Sequence, residues 1–329
     1  MHFHSYRRSM CAVSLCSLLA TAGAVGQDSE VPPPKLDQPR AGVTIRATEQ
    51  ADVTCYAITT TGDVNAPEQK FWASWKRSSV VAFRFRAPWR GTRYLKSIRP
   101  LIDHRNLLEQ GKLLRSLVGG TPGTVSSFGV HPNSELLFSW GRSGSALELD
   151  AAEGIAVPAD ALLELEHHYT SLDDAEPLDG SGVEVCVSPE VPKRLVAVTL
   201  LGVPSDFEGT KVTGVCKPKL SASIDWRPLA AYTRRRGQSV TLDRTRSNGE
   251  TEAVFAWTAA APQPVRADPT WLTLDPGDKL SVTCTYDGPV KGALEGYYEA
   301  CEMLVLHTPP GALATRSIAS IVNGLYTCM

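Results

Sequence analysis

Hydrophobic residues recur along the chain in short runs that are bounded by Gly, Pro, Asp and Asn. β-branched and aromatic side chains dominate these runs, which favours strands over helices. The runs are VTIRAT, VVAFRF, LLFSW, GVEVCVS, RLVAVTLLGV, AVFAWTA and KLSVTCTY. Because repeated short strands of this kind are typical of antiparallel sandwiches, we predict an all-β protein.

One segment departs from the strand pattern. Within LIDHRNLLEQGKLLRSLVGG, residues 101–120, the leucines at 107, 108, 113, 114 and 117 approach a helical period, and two glycines follow them. Glycine directly after a periodic segment is a helix stop signal. The spacing therefore predicts a helix in this part of the chain.

Residues 1–26 have the pattern of an export signal. Arg7 and Arg8 precede a short apolar run, and Ala24 and Gly26 satisfy the small-x-small rule for cleavage. The apolar run is too short and too rich in small residues for a stable membrane span. We therefore expect an exported protein, periplasmic or extracellular. Cleavage of the leader and its retention through a lipid anchor both stay open.

Two further segments lack a core pattern and mark the domain limits. Residues 27–41 are proline-rich and polar, as expected of a linker. SPEVPKR, residues 188–194, contains two prolines, which a central strand does not accommodate. We predict an N-terminal domain over residues 42–190 and a C-terminal domain over residues 191–329.

The charge pattern gives no indication of a nucleic-acid partner. The 329 residues carry a formal net charge of -2, with 43% hydrophobic and 21% charged residues, a balance typical of a packed core. The densest basic stretch is YTRRRG, residues 232–237, which is too short for a nucleic-acid footprint. The sequence identifies no other partner and no substrate.

The cysteine count favours disulfides. Of the 8 cysteines, Cys11 and Cys16 lie in the leader and the others follow it. An even number in an exported chain predicts disulfides, and the absence of a Cys-x-x-Cys pair disfavours a zinc knuckle. Six cysteines allow fifteen pairings, among which spacing alone does not choose.

Two parts of the chain carry motifs in a fixed order. Residues 136–188 contain a Trp-Gly turn, a strand that ends in His-Tyr and an SGV strand, and residues 271–328 contain PGDKLSVTC, EACEM and LYTC. In this order the motifs resemble those of the copper type II, ascorbate-dependent monooxygenases, the family of the peptidylglycine alpha-hydroxylating and dopamine beta-monooxygenases. The resemblance extends over roughly residues 45 to 329.

This resemblance implies a fold and a chemistry. The family fold is a pair of antiparallel, jelly-roll-like β-sandwich domains packed side by side, each holding one copper across a solvent-filled gap. One copper takes three histidines, and the other takes two histidines and a methionine. Imidazole and thioether ligands suit a copper ion that changes oxidation state. Ascorbate reduces the coppers, and oxygen then hydroxylates a C–H bond of the substrate.

The first copper position keeps one of its ligands. The histidine of the family's His-Tyr motif corresponds to His168, which precedes Tyr169. His167 has the opposite strand parity, so we expect it to point to the other face of the sheet. Glu109 and Gln110 stand where the family has its His-His pair, and they do not supply two imidazoles.

The second copper position keeps none of its ligands. Tyr232 and Arg234 stand at the His-x-His positions, and an arginine does not lose the proton that would free a lone pair. Ala300 stands at the methionine position. Met303 has the opposite strand parity, so we expect it in the core rather than at a metal.

The resemblance also implies which cysteines pair. Two pairs match family disulfides, and the two remaining cysteines could pair with each other. The three pairs are Cys284–Cys301, Cys216–Cys328 and Cys55–Cys186.

Two hypotheses follow from the resemblance. In the first, the chain is an exported, catalytically degenerate homologue of these monooxygenases that is retained as a binding or structural protein. In the second, it is a residual copper-dependent monooxygenase with an atypical site, in which His168 holds one metal together with Glu109 or His167.

A third hypothesis does not use the resemblance. An unrelated exported β-sandwich could act as an adhesion or carbohydrate-binding module, with exposed tryptophans as binding platforms. The candidate platforms are Trp72, Trp75, Trp89 and Trp226.

Overall fold

The computed structural model describes residues 42–50, 52–61, 78–103, 108–117, 122–125, 134–141, 144–170, 180–202, 208–233, 236–259, 270–291 and 300–313. Every regular element in these ranges is a β-strand, so the prediction of an all-β protein is confirmed. Within these ranges, no helix has the length and apolar character needed to cross a membrane.

The first part of the chain forms two sheets, which we call sheets I and II. Sheet I has the strand order β1-β2-β11-β4-β9-β12, with β8 paired to β4, and sheet II has the order β6-β3-β10-β5-β7. The pairs are antiparallel apart from that of β12 with β9. The strands are β1 (Gly42–Gln50), β2 (Val53–Thr61), β3 (Ser78–Arg86), β4 (Arg93–Leu101), β5 (Leu108–Ser116), β6 (Gly123–Val125), β7 (Ser134–Gly141), β8 (Leu147–Glu148), β9 (Glu153–Val157), β10 (Leu162–Thr170), β11 (Gly182–Ser188) and β12 (Arg194–Leu195).

The second part of the chain forms two further antiparallel sheets, III and IV. Sheet III has the order β13-β20-β15-β18, and sheet IV has the order β14-β19-β16-β17. The strands are β13 (Ala197–Gly202), β14 (Glu208–Cys216), β15 (Ile224–Thr233), β16 (Gly237–Thr245), β17 (Thr251–Thr258), β18 (Leu272–Leu274), β19 (Lys279–Lys291) and β20 (Cys301–Thr308).

The core of the first sandwich lies between sheets I and II. On β10 the alternate residues Leu163, Leu165 and Tyr169 face this core. Leu304 and Leu306 of β20 belong to the same hydrophobic cluster, although they come from the second sandwich. The two sandwiches are therefore packed side by side, with sheet III against sheet II.

Strand β20 is buried on both faces for this reason. Cys301, Met303 and Val305 face the core of the second sandwich, whereas Leu304 and Leu306 face the first. Met303 has 0% of its surface exposed, so its expected core position is confirmed. A strand covered on both sides is nearly continuous in apolar residues, as in CEMLVL.

The helix predicted within residues 101–120 is not present, because this segment contains strand β5. Strand β5 lies between β10 and β7 and is buried over most of its length. Its leucines do not alternate, because the adjacent residues Leu113 and Leu114 point to opposite faces of the sheet and both are buried. A strand buried on both faces thus lacks the period-two signal by which a strand is recognised.

Two of the expected disulfides are present among the described residues. Cys55 and Cys186 are directly opposite each other on β2 and β11. Cys284 and Cys301 join β19 to β20 and so connect the two sheets of the second sandwich. Cys216 is also disulfide-bonded, while its expected partner, residue 328, lies outside the described residues.

Candidate functional site

Strand pairing places His168 beside Gln110. The two residues are directly opposite each other on β10 and β5. His168 Nε2 lies 2.6 Å from Oε1 of Glu166, a carboxylate with no exposed surface. In this hydrogen bond the imidazole N–H donates and the carboxylate accepts. A nitrogen that carries this proton has no lone pair for a metal, so Nε2 of His168 serves Glu166 instead.

His167 lies on the other face of β10, as its strand parity predicted. Its Nδ1 is 3.0 Å from the hydroxyl of Tyr169, and only 1% of the residue is exposed. The imidazole packs edge-on to the rings of Trp140 and Tyr169. The two adjacent histidines therefore face different environments and do not form a chelate.

Glu109 and Gln110 differ in their surroundings because the pairing of β5 with β10 is irregular at this point. The pairing with β10 passes from Gln110 directly to Leu108, so that Glu109 is the extra residue of a β-bulge. Gln110 is 1% exposed, and its Nε2 donates to Oγ of Ser139 at 3.1 Å and to Oε2 of Glu302 at 2.7 Å. The amide nitrogen of Gln110 is thus engaged in two hydrogen bonds to protein groups, and the side chain supplies no imidazole.

Tyr232 of the second sandwich reaches the first sandwich. Its hydroxyl donates to the backbone oxygen of Glu109 at 2.7 Å. Its ring lies over Gly141, where an added Cβ would be 2.6 Å from Cε2 of Tyr232. Only glycine allows this close approach, and the Tyr232 hydroxyl is used in a contact between the sandwiches.

The other second-copper positions offer no ligand. Ala300 is 7% exposed, and its backbone oxygen accepts a hydrogen bond from Tyr286 at 3.0 Å. Arg234 lies outside the described residues.

Four of the positions that the resemblance assigns to metal ligands are close in space, namely Glu109, Gln110, His168 and Tyr232. Gln110 and His168 are neighbours, and Tyr232 touches Glu109. Glu302, opposite Tyr232 on β20, binds Gln110. The solvent-filled gap that the resemblance implies is absent between these residues, because their hydrogen bonds cross from one sandwich to the other.

The side chains at these positions do not fit a pair of copper ions. Among the residues that the structure describes, no group of three or more His, Cys, Asp or Glu side chains could hold a metal ion. The protonated nitrogen of His168, the amide of Gln110 and the hydroxyl of Tyr232 are each hydrogen-bonded to protein groups. We therefore derive no copper-dependent step from this arrangement.

A second polar cluster lies between the sandwiches around Glu153, which is 2% exposed. Its carboxylate accepts from Nη2 of Arg227 at 2.8 Å and from Nε1 of Trp271 at 2.9 Å. The ring of Trp271 also lies below the guanidinium groups of Arg227 and Arg194. Sequence analysis did not find these residues, because no local motif links positions so far apart.

His307 is a buried titratable group on β20 of sheet III. Burial lowers the pKa of His307 from 6.5 to about 4, while a hydrogen bond to the backbone oxygen of Pro309 acts in the opposite direction. Because Nδ1–H donates to Pro309, Nε2 accepts from the hydroxyl of Thr199 at 3.0 Å. His307 is therefore neutral at pH 7.

The tryptophans within the described ranges do not form the platforms of the third hypothesis. Trp89 is 4% exposed and Trp226 is fully buried, so neither ring is available to a sugar. Trp72 and Trp75 lie outside the described residues.

Comparisons with known proteins leave the family unassigned. No family model matches the chain. A solved structure that the chain matches weakly is the N-terminal CBM22-1–CBM22-2 tandem domain of Paenibacillus barcinonensis Xyn10C. The match has 12% identity and a TM-score of 0.11, and it covers 86% of this chain and 89% of the other.

Proposed function

We propose that this chain is an exported, catalytically degenerate homologue of the copper type II, ascorbate-dependent monooxygenases that serves as a binding or structural protein. Export is supported by the leader pattern and is compatible with the disulfides of both sandwiches.

The observation that carries the proposal is that the side chains at the matched positions are hydrogen-bonded to other protein groups. Gln110 and Tyr232 make hydrogen bonds between the sandwiches, and Nε2 of His168 is bound to a buried carboxylate. Ala300 has no donor side chain. Copper that cycles between two oxidation states needs imidazole or thioether ligands, which these residues do not supply as a set.

Metal analysis of the purified protein tests the proposal. The protein is incubated with copper under oxidising and reducing conditions, desalted and measured for copper per chain, with His168→Ala as the matched variant. We expect no more copper on the wild-type protein than on the variant, and no ascorbate-driven oxygen uptake. Two coppers per chain with oxygen uptake would contradict the proposal. One copper that is lost in His168→Ala would favour the residual copper enzyme instead.

A further inference from the structure

Polar side chains connect the two sandwiches at two places, and every one of these contacts joins residues distant in sequence. At the first place, an amide and a tyrosine hydroxyl make hydrogen bonds across the interface. At the second, a carboxylate binds a guanidinium and an indole. We call these residues the inter-sandwich seam: Gln110 with Glu302, Glu109 with Tyr232, and Glu153 with Arg227 and Trp271.

In the first part of the seam, the contact between Gln110 and Glu302 is buried. Gln110 is 1% and Glu302 is 3% exposed, and the 2.7 Å between their polar atoms is typical of a charge-assisted hydrogen bond. A carboxylate that loses such a donor inside the protein keeps its desolvation penalty without compensation. Separating the sandwiches here would leave both buried groups without this contact.

The second part of the seam adds an ion pair. Glu153 and the side chain of Arg227 are 2% and 8% exposed, so solvent screens their attraction little. The hydrogen bond from Trp271 to the other carboxylate oxygen fixes the orientation of Glu153. Both partners of Glu153 belong to the second sandwich, whereas Glu153 lies on β9 of the first.

Apolar packing continues between the two polar parts. Val198, Leu200, Leu304 and Leu306 of sheet III join the hydrophobic cluster of the first sandwich. The described strands all belong to one compact unit, Pro39–Met329. Contacts between domains of one chain are usually more polar and permit relative motion, whereas a buried apolar interface with satisfied polar groups resembles a single core.

We infer that the inter-sandwich seam makes the two sandwiches one cooperative folding unit in a fixed orientation, and that Gln110 and Tyr232 are residues of this seam. The inference goes beyond the proposed function and does not depend on it, because it rests on contacts between described residues. It assigns a positive role to two positions at which the resemblance expects metal ligands.

Hydrogen exchange of the full chain, read by mass spectrometry, tests the first part of the inference. Leu242→Ala removes a side chain with no exposed surface from the core of the second sandwich. We expect amides of β11 in the first sandwich to exchange faster by the same factor as amides of β16, about a hundredfold or more. Faster exchange in β16 with unchanged exchange in β11 would overturn the inference.

The same exchange measurement, repeated with Leu242→Ala in two variants of the chain, tests whether the seam transmits the destabilisation from one sandwich to the other. In the Gln110→Ala/Tyr232→Phe background, Leu242→Ala should raise the amide exchange rates of the first sandwich at least about tenfold less than those of the second. Ser139→Ala is the matched control, because it removes the other acceptor of Gln110 within the first sandwich, and here the two increases stay equal. Equal increases in both backgrounds would show that Gln110 and Tyr232 do not couple the sandwiches. Tyr232→Phe alone provides the same comparison if the double variant does not fold.

Discussion

The ion pair between Glu153 and Arg227 gives the sharpest test of the energetics, because both partners are buried and belong to different sandwiches. Glu153 accepts from Arg227 at 2.8 Å, from Trp271 at 2.9 Å and from the backbone N–H of Asp150 at 3.2 Å. Glu153→Ala removes both carboxylate oxygens that accept these three hydrogen bonds, and it leaves the guanidinium between the sandwiches without its nearest anion.

The expected loss of stability in Glu153→Ala is large because little remains to compensate the charge of Arg227. The carboxylate of Asp150 is 3.9 Å from Nη1, but its side chain is 63% exposed, so its attraction is screened. Breaking a buried pair by removing one partner typically costs about 3–5 kcal/mol. We therefore expect Glu153→Ala to lower the free energy of unfolding by about 3–5 kcal/mol. Replacing both partners, as in Glu153→Ala/Arg227→Met, should cost less than the sum of the single changes by about 2–3 kcal/mol.

Equilibrium unfolding in guanidinium chloride at neutral pH measures these quantities, with Glu153→Gln as the conservative control. The glutamine keeps one acceptor and loses the charge, so we expect a loss of about 1.5–3 kcal/mol. A loss below about 1 kcal/mol for Glu153→Ala would refute the reasoning. So would single losses that add within about 0.5 kcal/mol in the double variant, since additive losses mean that the two side chains do not interact.

Three further changes have expected outcomes. The pKa of His307 is about 4 in the folded chain and 6.5 ordinarily, so the unfolded chain binds more protons between these values. The contribution of His307 to the free energy of unfolding should be fully present above pH 6.5 and should fall by about 3 kcal/mol as the pH decreases to 4. Denaturant titrations of His307→Gln should lack this pH dependence. Gly141→Ala should cost about 1–3 kcal/mol by thermal unfolding, and less in a Tyr232→Ser background, where the ring is absent. Cys55→Ser/Cys186→Ser should cost about 4–5 kcal/mol, because the bridge joins residues 131 positions apart. The wild type and the variant should be equally stable once both are reduced, which checks the assignment.

Much of the fold could be predicted from the sequence because its strands are short runs of β-branched and aromatic residues bounded by turn residues. Runs such as GVEVCVS and KLSVTCTY coincide with β11 and β19. Strand β5 could not be recognised, because sheet III covers the face of sheet II that would otherwise carry polar residues. Parity within β10 did predict that His167 and His168 point to different faces, since that rule needs only the strand itself.

Less of the candidate site than of the fold could be predicted from the sequence. Resemblance selected Gln110 and His168, which pair across β5 and β10, but it could not supply their hydrogen-bond partners. Glu302 is 192 residues from Gln110, and Arg227 is 74 residues from Glu153. Such partners are determined by the packing of one sandwich on the other, which has no local period in the chain. A glutamate within the apolar run CEMLVL was the one available signal.

The close approach of Tyr232 to Gly141 constrains the order in which this surface can evolve. A side chain at position 141 is tolerated only after the ring at position 232 has been replaced by a smaller group. A substitution at position 141 that comes first disrupts the interface before any new function can compensate. The effect of a substitution at position 141 therefore depends on the residue at position 232, so that a larger side chain at 141 requires two replacements in a fixed order.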